Sequence, residues 1–211
     1  MRDAPRKSGD YRREEWIACN VPPPDVDRVA RQHTRGTFAI CAFTAIGEDD
    51  GALRAAFKSL GYRLGATEPL MVHDLRRIPR CDLPATIDRV TTPEMADRVA
   101  KVARHRQVLP EHLSDPAEPV REHVAMIDGQ IVGRVGSIAA GGAARWCSNM
   151  HVLPAFRRRG IGRAMLCRML RDDRAGGADS AVLTASHTGA KLYATVGYER
   201  IATLYLFAPR K

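Results

Sequence analysis

Apolar residues along the chain predict a series of strands and helices. Residues 37–46 are nearly continuous apolar sequence of strand length and predict a buried strand. After an acidic turn at 47–51, residues 52–60 place Leu53, Ala56, Phe57 and Leu60 on one helical face, with Gly61 at its end. Residues 64–75 read as extended, although Pro69 removes one ladder hydrogen bond. The preceding residues 1–36 are mostly polar and are broken by Pro22-Pro23-Pro24. Within them, Asp25 to His33 reads as a short helix, and Trp16 with Ile17 as a local packing anchor.

A proline-bounded connector, residues 78–84, separates this strand–helix–strand segment from the rest. A short strand follows at 86–90. A helix then opens with Thr91 or Thr92 as cap and Pro93 in its first turn, carrying Met95, Val99 and Val102 on one face. Residues 110–113 begin a second short helix. Residues 121–127 and 130–139 are strands joined by Asp128-Gly129, a strong two-residue hairpin signal. Gly141-Gly142 turns the chain into a strand at 143–153. A helix from Ile161 to about Arg174, a strand at 181–185, a helix from about 186 and a strand at 201–207 complete the order. The expected fold is α+β, a mixed and mostly antiparallel sheet flanked by helices. Residues 84–211 form the main domain, and residues 1–80 an N-terminal extension or degenerate half-domain. The half-domain reading rests on Phe57-Lys58-Ser59-Leu60-Gly61-Tyr62, which lines up with Tyr193-Ala194-Thr195-Val196-Gly197-Tyr198.

Composition narrows the classes. A chain of 211 residues is long enough for a sizeable core. No apolar run approaches the about 20 residues that span a bilayer. Residues 1–15 are charged and lack a signal peptide's apolar core, so the expected location is cytoplasmic. The five cysteines are far apart and show no CxxC spacing, so neither a zinc site nor a disulfide framework is expected. Cys41, Cys147 and Cys167 read as reduced core residues. The net charge of +9 comes from arginines spread along the whole chain, without aromatic interleaving. That distribution disfavours nucleic acid and fits a polyanionic small ligand.

The densest basic cluster carries the candidate chemistry. Val152-Leu153-Pro154-Ala155-Phe156-Arg157-Arg158-Arg159-Gly160-Ile161-Gly162-Arg163 runs from a strand end through three arginines into a helix. The first N–H groups of a helix lack internal partners and sit at the positive end of its dipole, which suits phosphate. A P-loop would need Gly-Lys-Ser/Thr, which is absent. A dinucleotide fingerprint would need glycine where Met165 stands.

What remains, Arg157-x-x-Gly160-x-Gly162 after a Val-x-Pro strand end, resembles motif A of the GNAT N-acetyltransferases. Ser186-His187-Thr188-Gly189-Ala190-Lys191-Leu192-Tyr193-Ala194-Thr195-Val196-Gly197-Tyr198 resembles the same family's motif B. The resemblance covers about residues 84–211. It implies a GNAT-like fold and an acetyl-CoA-dependent N-acetyltransferase acting on a primary amine of a small molecule or peptide by direct attack. The implied cofactor contacts are Met150, Val152, Arg157, Arg158, Arg159, Gly160, Ile161, Gly162, Arg163, Ser186, Gly189 and Tyr193. Among these, the Val152 N–H would face the acetyl carbonyl, and Ser186 stands where many members have asparagine.

Tyr193 aligns with the family tyrosine and is the candidate general acid. A phenol of pKa about 10 can protonate a thiolate of pKa about 8.5. Its other reading is as a packing group that positions the sulfur. The proton acceptor is less legible. Members with a strand-borne glutamate would carry it near Arg145 or Trp146, and no carboxylate is there. His151 is the candidate on that strand, although alternation with Val152 places it on the other face. Glu122, His123 and His187 are further candidates. Cys147 could support a ping-pong route, but nothing marks it as an activated thiolate. No metal is expected. The partners are acetyl-CoA and an amine acceptor, with no membrane, and a homodimer through strand edges is compatible with the fold. The competing reading is a non-catalytic acyl-CoA-binding or regulatory module.

Overall fold

The computed structural model describes residues 14–210. The charged stretch 1–15 read above against a signal peptide lies almost wholly outside these residues. Nine strands are hydrogen-bonded in the order β1-β2-β9-β3-β8-β7-β6-β5-β4. Chain contacts divide the molecule into two units. Among the described residues, one comprises 14–70, 184–187 and 200–210, and the other 71–183 and 188–199.

In the first unit, β1 (Glu14–Ala18) runs parallel to β2 (Phe38–Ala45), which pairs antiparallel with β9 (Glu199–Pro209). Helix α1 (Pro23–His33) buries Val26 and Ala30, and α2 (Gly51–Ser59) buries Phe57. β3 (Tyr62–His73) follows and accommodates Pro69, whose carbonyl accepts from Ala185 N–H at 3.0 Å. The core is aromatic. Phe57 stacks on Phe207 at 4.2 Å between centroids, and Tyr62 meets Phe57 edge-on at 5.6 Å. The Tyr62 hydroxyl donates to Asp27 Oδ1 at 2.7 Å, so its polar end is satisfied. β1 departs from the sequence reading. It is only five residues long and opens on two glutamates, yet it forms an edge strand because β2 offers a free edge. Trp16 does anchor, donating through Nε1 to Thr34 Oγ1 at 2.8 Å. Ile17 does not, since it is 66% exposed.

The second unit is built on a meander of β4 (Thr86–Arg89), β5 (Val120–Ile127), β6 (Gln130–Ala139) and β7 (Ala144–Val152), all antiparallel, with β8 (Ser180–Thr184) parallel to β7. Asp128 and Gly129 both take positive φ, as the two-residue hairpin requires. Helix α3 (Pro93–Ala103) is capped by Thr92, whose hydroxyl accepts from Met95 N–H. It buries Ala96 and Val99 against Val124, Val108 and Ile131, while Val102 lies outside this face and is exposed. Helix α4 (Pro110–Ser114) follows, and later α5 (Ile161–Ala175) and α6 (His187–Ala194).

Helix α5 is held to the sheet by buried charge. The Asp173 carboxylate, fully buried, accepts from Ser137 Oγ on β6 at 2.7 Å and from Arg121 Nη1 on β5 at 3.2 Å. Arg145 on β7 donates to Ser137 Oγ at 3.0 Å and lies 3.6 Å from Asp173 Oδ1. Alongside, His123 Nε2 and Asp172 Oδ2 are 2.8 Å apart. Such a network is stabilising only while complete, because each charge depends on the others for solvation.

One cysteine expectation is corrected. Cys167 is disulfide-bonded to Cys81, 86 residues away in sequence, rather than a reduced core thiol. Spacing could not show it. The two meet because the connector after β3 lies along α5, with Arg171 Nη2 donating to Pro79 O at 2.8 Å.

Replacing Asp173 by alanine is expected to destabilise the protein by about 3–5 kcal/mol, because Arg145 would stay buried without a carboxylate and Arg121 would keep only Glu118. Chemical denaturation checks this as a lower midpoint at unchanged slope.

Candidate active site

The end of β7 is where the sheet opens. β7 pairs with β8 only over Ala144–Trp146, opposite Ser180–Val182, while its pairing with β6 continues to Val152. Leu153 N–H bonds Val132 O on β6 at 2.8 Å. Backbone groups alternate in direction along a strand, so Val152 N–H points to the opposite, open edge. The Val152 carbonyl shares that edge and accepts from Arg157 Nε at 2.9 Å.

A bulge sets which side chains flank this edge. Ser148 lies opposite Gly136 and His151 opposite Arg134, so Asn149 and Met150 together oppose one residue of β6. Asn149 takes φ +53°, which asparagine tolerates better than most residues. The bulge puts Met150 and Val152 on the α5 face and leaves His151 on the face covered by α3.

A 3₁₀ turn (Pro154–Phe156) then leads into α5. Arg158 and Gly160 both have left-handed backbone, at φ +64° and +79°. Gly160 adopts it without strain. Ala164 N–H bonds Gly160 O, and no backbone acceptor is found among the described residues for the N–H groups of 158–163. The N-terminus of a 15-residue helix therefore presents a run of donors and its dipole at one place, a favourable site for phosphate. Gly162 lets α5 approach closely. A Cβ there would stand 3.0 Å from Met150 Cε, 3.2 Å from Leu192 Cδ2 and 3.9 Å from Val152 Cγ2. Of the arginines, Arg157 is used on Val152, and Arg159 donates to Ala155 O at 3.1 Å and covers the Phe156 ring. Arg158 and Arg163 have no ion pair among the described residues.

Helix α6 carries Leu192 to this turn and, next to it, Tyr193. The Tyr193 ring meets Tyr198 edge-on at 5.6 Å. Burial, and then the neighbouring Cys147, push its phenol well above its usual pKa, so it holds its proton throughout the neutral range. Cys147 is itself pushed up to about 12 by burial, which leaves no thiolate for a ping-pong route. Ser186 precedes α6 and Gly189 lies in its first turn.

The α3 face carries a polar group that the sequence named only in part. Arg121 and His123 bond α5, so Glu122, between them, faces the other way with Val124. Its carboxylate lies over Gly136. A Cβ on Gly136 would be 2.8 Å from Glu122 Oε2 and 2.9 Å from Ser148 Oγ. Glu122 Oε1 is buried without a hydrogen bond, with Arg134 Nη1 3.8 Å away and itself donating to Gln107 Oε1. Burial raises the Glu122 pKa to about 7 despite Arg134. His151, exposed on this face, has its pKa lowered by burial and by Arg134 and Arg157. Cross-strand stacking of 122, 136 and 148 could not be read from spacing, since the pairing of 122 with 136 depends on a register shift between β5 and β6 at Ala125/Met126. The other histidines are placed elsewhere. His123 is buried against Asp172, and His187 Nε2 lies 3.1 Å from Thr67 Oγ1.

Residues 119–200 match the family model described as the acetyltransferase (GNAT) domain. Over those residues the chain is similar to a GNAT acetyltransferase domain. No curated protein sequence matches it. Among solved structures, a GCN5-related N-acetyltransferase from Kribbella flavida is 18% identical over 92% of this chain and 80% of that one, with TM-score 0.71. A GCN5-related N-acetyltransferase from Sphaerobacter thermophilus is 22% identical over 87% and 63%, with TM-score 0.60. A tandem GNAT protein from the clavulanic acid biosynthesis pathway is 16% identical over 87% and 67%, with TM-score 0.57. At these identities the structures share the GNAT fold. The domain supports acetyl transfer as the general chemistry, and acetyl-CoA is the donor typical of the family. No helix among the described residues is long and apolar enough to cross a membrane.

The carboxyl group of Glu122 binds its proton more tightly in the fold than in the open chain. Stability should therefore fall as pH rises from about 4.5 to about 7 and level off above, a span worth up to roughly 3 kcal/mol. Glu122→Gln should flatten that slope, which urea midpoints across the window would reveal.

Proposed function

We propose that the protein transfers an acetyl group from acetyl-CoA to a primary amine by direct attack in a ternary complex. The observation that carries this reading is the open edge of β7 meeting the donor-rich turn of α5. The N–H groups of 158–163 would hold the pyrophosphate, with Arg158 and Arg163 free to pair with its oxygens. The pantetheine arm would run past Met150, Ser186 and Gly189. The Val152 N–H would donate to the acetyl oxygen as it becomes an oxyanion.

Tyr193 would give its hydrogen bond, and then its proton, to the departing sulfur. The acceptor would enter from the α3 face, where His151 would take the proton from the amine. Glu122 supports a second assignment of that step, on its unpartnered Oε1 and near-neutral pKa. Residues 37–75, a strand–helix–strand segment like that around α6, would be the remnant of a second half, as in a tandem arrangement.

Calorimetry should show saturable binding of both acetyl-CoA and CoA. Absence of both would sink the assignment, and binding without turnover of any amine would favour a regulatory module. Tyr193→Phe should lower kcat by about 10²-fold with little change in KM for acetyl-CoA. The pH profile separates the proton acceptors. A limb of kcat/KM below pH about 6.5 that vanishes in His151→Gln assigns the histidine. A limb at about 7 that vanishes in Glu122→Gln assigns the glutamate.

A further inference from the structure

We propose that the first unit carries a separate binding site for a small phosphorylated molecule, in a cationic pocket formed by the last turns of α2, the start of β3 and the end of β9. The pocket encloses about 200 Å³ and draws Arg54 and Lys58 from α2, Arg63 from β3 and Arg210 from the end of the chain. Its floor is Tyr62, Leu64 and Phe207.

No carboxylate lines this pocket. Asp50 approaches from its edge, its Oδ2 3.5 Å from Arg54 Nη1. Lys58, Arg63 and Arg210 have no ion pair among the described residues. Lys58 is explained in part by the helix C-terminus, which favours a cation. The convergence of the other two with it is not, since like charges brought together repel. A bound polyanion relieves that repulsion and matches the guanidinium forks.

The floor decides the ligand class. Tyr62 and Phe207 are 1% and 2% exposed and are committed to the core through Asp27 and Phe57. They leave little apolar area for a hydrophobic ligand, so recognition would rest on charge, which a doubly charged phosphate satisfies better than a single carboxylate. The walls are fixed in advance. Arg210 N–H bonds Gly61 O at 2.9 Å, tying the end of β9 to the α2–β3 turn. None of these residues belongs to the Gly160 turn proposed for acetyl-CoA.

Calorimetry on the full chain with inorganic pyrophosphate, in saturating CoA, tests this. One saturable event should persist, weakened at least about tenfold in Lys58→Ala/Arg63→Ala and in Arg210→Ala, with CoA affinity unchanged in both. Loss of all pyrophosphate binding on adding CoA overturns the proposal, as does unchanged binding in both variants. A single-stranded oligonucleotide that displaces pyrophosphate and binds more tightly makes the pocket a nucleic-acid contact and also overturns it. If CoA itself does not bind, the reading of the Gly160 turn has failed, and the two variants alone decide this one.

Discussion

The buried Asp173 carboxylate is the constraint on which the second unit depends. It lies near the end of α5 and gathers Arg121, Ser137 and Arg145 from three successive strands. A helix clamped at one end by charge has its other end aimed. That other end is the Gly160 turn, and it arrives where β7 parts from β8. Hydrophobic burial of Met165, Leu166, Met169 and Leu170 gives the helix its attachment but little direction, since apolar contact is non-directional. The charge network supplies the direction.

A division of labour between the two sheet faces follows. The α5 face carries the strand side chains that hold the helix, together with Met150 and Val152. The α3 face carries Glu122, Ser148, Arg134 and His151. The backbone edge of Val152 lies between the faces and is reachable from both. On the proposed function, a donor and an acceptor would meet at one peptide group without sharing a pocket, as a ternary complex requires. The raised pKa of the Cys147 thiol agrees with that reading.

Much of this was legible in the sequence because it is written locally. The Thr92 cap, the Asp128-Gly129 hairpin and the glycines of the α5 turn each need only a few neighbouring residues, and each stands where those residues place it. Strand boundaries moved by at most two residues. What was not legible depends on pairing across distance. β1 is five residues long, opens on two glutamates and exists because an edge was available. Cys81 finds Cys167 because a connector lies along a helix. Glu122 is one candidate among several until Gly136 and Ser148 are laid beside it. The opening of β7 from β8 is likewise a property of two strands and of neither alone.

The bulge at Asn149 gives the strand a reading frame. Two residues stand where one would keep step, so every side chain and amide beyond it is shifted by one place relative to β6. The same residues paired one for one with β6 would still make a sound strand. Val152 would then fall opposite Val132, and its amide would turn inward and be consumed by β6. The chemistry at this edge is thus encoded less by which residue stands at 152 than by the parity of the count leading to it.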